Sequence, residues 1–181
     1  MRKKRLFIGS FINTDTLKNE YSKVRKELGN SIKGKWTPFE NLHITYKFLG
    51  NIEVDRISSI KNAINKYLNK NIECNFEVKG IGAFPSIYTP KVVFLRVNDK
   101  SGVLEDIYYY IQSRLKNLGF EEDKKKFIPH ITIKRPKEVN VKKFYKKVKL
   151  FEDKIFVQIS KIEINLIESI LSPNGARYKK I

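Results

Sequence analysis

An α+β fold is predicted for this chain from three observations. Short apolar segments with strict alternation, the period of strands, recur along its whole length. Segments with apolar residues three and four apart, the spacing of helices packed on one side, lie between them. The order strand–helix–strand–helix–strand, running to Pro90, is followed by strand–helix–strand after it. The chain therefore reads as two similar halves of antiparallel or mixed sheet flanked by helices. No linker or low-complexity stretch divides it, so residues 1–181 are expected to form a single domain.

Arg5–Ile12 is apolar and β-prone and reads as the first strand. Polar groups at Asn13–Asp15 can cap a helix that runs to Leu28, where Gly29-Asn30 stops it. Gly34 and Pro38 bracket a short strand around Trp36. In Leu42–Leu49, alternation puts Leu42, Ile44, Tyr46 and Phe48 on one face and His43, Thr45 and Lys47 on the other. Asp55 can cap a second helix carrying Ile57, Ile60, Ile64 and Leu68. Glu73–Lys79 is a strand, and Gly80–Pro90, with two glycines and two prolines, reads as a loop. Val92–Val97 is a strand, and Ser101–Leu118 is a helix closed by Gly119. Phe127–Lys134 alternates with His130, Thr132 and Lys134 on one face. Val141–Val148 reads as a short helix. Ile155–Ile159, Lys161–Ser169 and Arg177–Ile181 read as strands, the last two joined by a turn at Ser172-Pro173-Asn174-Gly175.

Hydrophobic residues make up 41% of the chain, enough to bury a core. Lys and Arg total 37 against 19 Asp and Glu, a net charge of +18. Such a field attracts polyanions, nucleic acid first among them. The Lys-, Asn- and Ile-rich composition also fits a codon bias, so the charge alone does not decide. Lys124–Lys149 concentrates it, with eleven basic residues and one acid, Glu138. The single cysteine, Cys74, allows no intrachain disulfide, and no Cys/His cluster supports a zinc site. No apolar run approaches the ~20 residues that span a bilayer, and Leu6–Ile12 is too short and interrupted for a signal peptide. A reducing, cytoplasmic setting is expected.

The chain has two histidines, and both open the same tripeptide: His43-Ile44-Thr45 and His130-Ile131-Thr132. With six threonines in 181 residues, both matches would arise by chance about once in a thousand chains. On a strand, residues two apart stand about 7 Å from each other on one face. An imidazole and a hydroxyl so placed can touch one phosphate. Two such strands facing each other would surround a phosphoryl group with two imidazoles and two hydroxyls. Imidazole titrates near neutrality, so one ring can accept a proton while the other gives one. A lone strand histidine is more often structural; the matched pair is what points to catalysis. Lys47, Lys134 and Arg135 are candidate phosphate contacts or ordinary surface charges. Trp36, Phe48 and Phe127 can stack a base, although core packing is the commoner role.

These residues resemble a known family. Two H-x-T motifs 87 residues apart are similar to those of the two-histidine (2H) phosphoesterases. The segments 5–9 (RLFIG), 40–50 (ENLHITYKFLG), 129–135 (PHITIKR) and 169–178 (SILSPNGARY) resemble, in order, those of its RNA 2′,3′-cyclic phosphodiesterase branch, once labelled 2′-5′ RNA ligases. Tyr46 stands where that branch more often has Leu, and Ile167 where an aromatic is common. The resemblance implies a bilobal fold with pseudo-twofold symmetry, two sheets, and a central cleft to which each lobe supplies one H-x-T strand. It implies opening of a terminal 2′,3′-cyclic phosphate of RNA to a 2′-phosphate, with no metal and no cofactor. His43 would protonate the leaving 3′ oxygen, and His130 would activate water. Thr45 and Thr132 would hold phosphate oxygens, and Arg135 would bind phosphate or the adjoining nucleotide. The expected partner is RNA with a terminal cyclic phosphate, such as a tRNA fragment, met by a monomer. Rival readings are 2′-5′ ligation of tRNA halves, a non-catalytic RNA-binding module, and a small nucleotide substrate such as a cyclic ADP-ribose phosphate.

Overall fold

The computed structural model describes residues 2–173 and 175–181. The strands are β1 (Lys3–Phe11), β2 (Ile32–Lys33), β3 (His43–Glu53), β4 (Asn71–Phe84), β5 (Val92–Asp99), β6 (His130–Lys134), β7 (Glu138–Val139), β8 (Ile155–Glu163), β9 (Asn165–Ser172) and β10 (Gly175–Lys180). The helices are α1 (Asp15–Leu28), α2 (Ile57–Ala63), α3 (Val103–Lys116) and α4 (Val141–Lys149). None of them is long and apolar enough to cross a membrane.

Eight strands form one sheet in the order β10-β9-β1-β3-β6-β5-β4-β8, and β2 pairs with β7 in a small second sheet. Every ladder in them is antiparallel. The two expected sheets are the two four-stranded halves of the large one. They meet at β3 and β6 through a single residue pair, Ile44 opposite Ile131. The H-x-T strands thus lie side by side at the midline. Ile44 and Ile131 are fully buried, in one core with Leu17, Val24 and Leu28 of α1, Leu104 and Ile111 of α3, and Phe144 of α4. The histidines and threonines project from the opposite face of the strands.

Local chemistry sets the helix starts. Thr14 Oγ1 accepts a hydrogen bond from the Leu17 amide, and Asn140 Oδ1 from the Lys143 amide. Asp99 receives the Leu104 amide at 2.8 Å. The second helix is shorter than its apolar spacing suggests: a single 3₁₀ turn, Val54–Arg56, leads into it, and turns follow Ala63.

One segment departs from expectation in kind. Gly80–Phe84, read as loop, is the second half of β4, paired with β5 from Ile81 to Phe84. Its glycines serve close approach rather than turning. Gly80 adopts φ +73° at an irregularity in the ladder, and a Cβ there would lie 2.3 Å from the Arg96 guanidinium. A Cβ at Gly82 would lie 2.5 Å from the Phe94 ring. The turn expected at Ser172–Gly175 is a β9–β10 connection at Pro173, with Asn174 outside the described residues.

Candidate active site

The register at the midline assembles the four motif side chains. Because Ile44 pairs with Ile131 in antiparallel sense, His43 comes opposite Thr132, and Thr45 opposite His130. The two imidazoles thus stand diagonally across one patch, with a hydroxyl beside each. They lie within electrostatic reach of each other, since a charge on His130 disfavours one on His43.

Both rings are held in the same way. His43 Nδ1 lies 2.6 Å from the Asn41 carbonyl oxygen, and His130 Nδ1 lies 2.7 Å from that of Ile128. A carbonyl only accepts, so each Nδ1 carries the proton, and each Nε2 is left for the cleft. Aromatic side chains flank each ring. Phe7 lies 4.9 Å and Tyr178 5.1 Å from His43. Phe94 lies 5.0 Å and Phe84 5.1 Å from His130. This apolar packing dominates the titration: burial pushes both histidines below the ordinary imidazole pKa, and the Asn41 and Ile128 carbonyls partly oppose it. Arg135 adds to the lowering at His130.

The same irregularity follows each motif. On β1 and β3, Gly9 pairs with Thr45 but Ile8 pairs with Lys47, so Tyr46 is an extra residue. On β5 and β6, Phe94 pairs with Thr132 but Val93 pairs with Lys134, so Ile133 is extra. A bulge of this kind inverts the alternation beyond it. Lys47 and Lys134, expected on the histidine face, turn to the opposite face and are buried at 5% and 2% exposure.

Lys47 is therefore corrected as a phosphate contact. Its ammonium donates to Asp123 Oδ1 (2.6 Å), the Glu121 carbonyl (2.6 Å) and Gln112 Oε1 (3.0 Å). Lys134 donates to the Ile32 carbonyl at 3.0 Å and lies 4.0 Å over the Trp36 ring. Burial lowers its pKa, and Arg25 lowers it further. The next residue in each half moves the other way. Phe48, expected in the core, is 66% exposed and lies 5.9 Å from Phe7. Arg135 is exposed, and its charge acts on both His130 and Tyr178. Thr45 and Thr132, which precede the bulges, stay on the histidine face and are partly exposed.

Of the base-stacking candidates, Trp36 and Phe127 pack elsewhere. Trp36 meets Tyr21 and Lys134, and Phe127 stacks on Tyr108 at 4.4 Å. The residues missed by the sequence reading are Phe7, Phe84, Phe94 and Tyr178 around the imidazoles. Arg5, whose charge acts on Tyr178, was missed as well. Phe7 and Tyr178 lie in segments that carried the family resemblance; nothing in the order of residues marked Phe84 or Phe94. Asn41 ties two of these parts together. Its carbonyl holds His43, and its side-chain amide donates to the Ala176 carbonyl (2.8 Å) on the strand that carries Tyr178. Among the described residues no group of three or more His, Cys, Asp or Glu side chains is placed to hold a metal ion.

The sequence matches the family described as LigT like Phosphoesterase twice, over residues 12–94 and 97–178. Each match contains one H-x-T motif. The chain is 32% identical to the RNA 2′,3′-cyclic phosphodiesterase of Methanocaldococcus jannaschii over 180 residues, covering 98% of both chains. It is 29% identical to the protein of the same name from Aquifex aeolicus, covering 98% of this chain and 95% of that one. Its fold superposes on Escherichia coli LigT complexed with 3′-AMP with a TM-score of 0.76 at 16% identity, covering 99% and 96% of the two chains. TT0787 of Thermus thermophilus gives a TM-score of 0.74 at 20% identity, covering 98% and 94%. Paired H-x-T strands at the centre of a two-part antiparallel sheet, matched along the whole chain by these relatives, place the protein in the LigT-like family of two-histidine phosphoesterases.

Proposed function

We propose that the protein hydrolyses the terminal 2′,3′-cyclic phosphate of RNA to a 2′-phosphate, with His43 and His130 as acid and base and without a metal ion. The observation that carries this reading is the diagonal pair of imidazoles, each with Nδ1 committed to a backbone carbonyl and Nε2 left for the cleft. Full-length relatives named RNA 2′,3′-cyclic phosphodiesterases supply the substrate class.

In the reaction, a water oxygen bonds to phosphorus as the P–O3′ bond breaks. His130 Nε2 takes a proton from the water, and His43 Nε2 gives one to the departing 3′ oxygen. In-line displacement puts these oxygens on opposite sides of phosphorus, which two rings set diagonally across the patch suit. Thr45 and Thr132 donate to the non-bridging oxygens, and Arg135 offsets their charge. Desolvation keeps both rings neutral in the free enzyme at pH 7. An anionic phosphate between them favours the imidazolium on His43, so the acid is charged when substrate arrives. The protein acts in this reading as one two-lobed monomer in a reducing cytoplasm.

The test is hydrolysis of an oligoribonucleotide ending in a 2′,3′-cyclic phosphate, in excess EDTA. A 2′-phosphate product from the wild type, lost in His43→Ala and His130→Ala, is the expected result. Dependence on added metal would overturn the mechanism. Joining of tRNA halves with no net hydrolysis would transfer the assignment to ligation.

A further inference from the structure

The lysine-rich segment noted in the sequence is not one surface. Lys124–Lys126 lead into Phe127, which packs on α3, whereas Lys142–Lys149 belong to α4. On α4, five lysines and no acid occupy nine residues. Phe144 and Val148 are buried. Lys142, Tyr145, Lys146 and Lys149, of which 142/145, 142/146, 145/149 and 146/149 are three or four residues apart, share the outward side. Among the described residues the ion pairs of this helix involve only Lys147, with Glu27, and Lys149, with Glu152. Lys142 and Lys146 are exposed.

An aromatic pair crowns the stripe. Tyr88, from the β4–β5 loop, stacks on Tyr145 with ring centroids 5.6 Å apart and planes 18° from parallel. Lys149 lies 5.8 Å from the Tyr145 ring. Tyr88 is 61% exposed. The loop beneath it is preformed: Ser86 Oγ accepts the Tyr88 and Thr89 amides at 3.2 Å, and the Lys91 amide closes onto the Phe84 carbonyl at 2.8 Å. The loop also leads directly from the cleft. Phe84, which borders His130, is four residues before Tyr88, at most about 14 Å of extended chain.

We propose that Tyr88, Tyr145 and the Lys142/Lys146/Lys149 stripe form a binding surface for the single-stranded RNA immediately upstream of the terminal nucleotide. The inference rests on the proposed phosphodiesterase reading for the position of the RNA end. An exposed ring offers a face to any base, and neighbouring ammonium groups follow the phosphates, the combination that binds single strands without sequence choice. Substrate preference is then for a 3′ overhang over a free mononucleotide or a blunt duplex.

The experiment pairs two measurements. Binding is read by anisotropy with a fluorescent single-stranded oligoribonucleotide ending in a 2′-phosphate, against a blunt RNA duplex, across a salt series. Turnover is read on a 2′,3′-cyclic mononucleotide and on a cyclic-phosphate oligonucleotide. Tyr88→Ala/Tyr145→Ala should weaken single-strand binding about tenfold or more. Lys142→Gln/Lys146→Gln should reduce the salt slope by about 1.4, at about 0.7 for each phosphate that is no longer neutralised. In both variants kcat/KM on the oligonucleotide should fall while that on the mononucleotide holds. Unchanged oligonucleotide binding, or a duplex bound as tightly as the single strand, would overturn the proposal. A wild type that binds the oligonucleotide through these residues but cleaves neither substrate would retain this surface and remove the phosphodiesterase reading.

Discussion

The two halves of the site share a plan and differ in what it carries. In each, a histidine donates its Nδ1 proton to the carbonyl two residues earlier, aromatic rings flank the imidazole, and a bulge follows the threonine. Four residues after each histidine comes a lysine turned away from the cleft, and five residues after it a side chain turned back toward it. The lysine at the first site is held by Asp123, Gln112 and the Glu121 carbonyl, while the one at the second, among the described residues, meets a carbonyl and an indole. The returning side chain is Phe48 at the first and Arg135 at the second. Backbone geometry repeats, and the side chains it presents do not. The first half offers a stacking wall, the second a cation, and a reaction that needs an acid on one side and a base on the other can use that asymmetry.

The comparison is broken most sharply at the histidines. His43→Ala and His130→Ala should each reduce kcat by about 10²–10⁴ on a cyclic-phosphate oligonucleotide, and the double variant should fall little further, because the two act as a unit. A single variant near wild-type rate would show that half to be structural.

The lysines should separate next, in chemical denaturation. Lys47→Met takes the donor from the Glu121 carbonyl and from a half-exposed Asp123, while Gln112 keeps its bonds to Asp123, and should cost about 1–3 kcal/mol. Lys134→Met removes a buried cation that, among the described residues, has no carboxylate partner, and should be neutral or stabilising at pH 7. Equal losses would mean that the two lysines share a role.

The smallest effect sharpens the contrast between Phe48 and Arg135. Burial lowers both histidines, so the kcat/KM profile of the free enzyme should be a bell with its limbs acid of pH 6.5. With His130 as the proposed base, rate should be lost below its pKa, where the ring is protonated. Arg135 lowers that pKa, so Arg135→Ala should move the acid limb toward higher pH. Phe48→Ala should leave both limbs in place and change KM alone. An acid limb unmoved in Arg135→Ala would detach Arg135 from His130.

Much of this was legible in the residues. Alternation placed Ile44 and Ile131 inward and the motif pairs outward, cap and stop residues bounded α1, and α3 ends at Lys116, shortly before Gly119. Alternation failed one residue beyond each threonine, because an inserted residue is visible only against its partner strand. It also failed at Gly80–Phe84, where glycine signals a loop until Arg96 and Phe94 are seen lying across it.

By itself, then, the sequence determined the class of fold, the two H-x-T strands and the chemical groups they bear, because periodicity and residue type are local properties. Tertiary structure decided that the two half-sheets join edge to edge at Ile44 and Ile131, that Lys47 and Lys134 serve the interior, and that Phe7, Tyr178, Phe84 and Phe94 flank the imidazoles. Those outcomes depend on register between segments distant in the chain, and register is set by which neighbour each strand meets and where one residue too many must bulge.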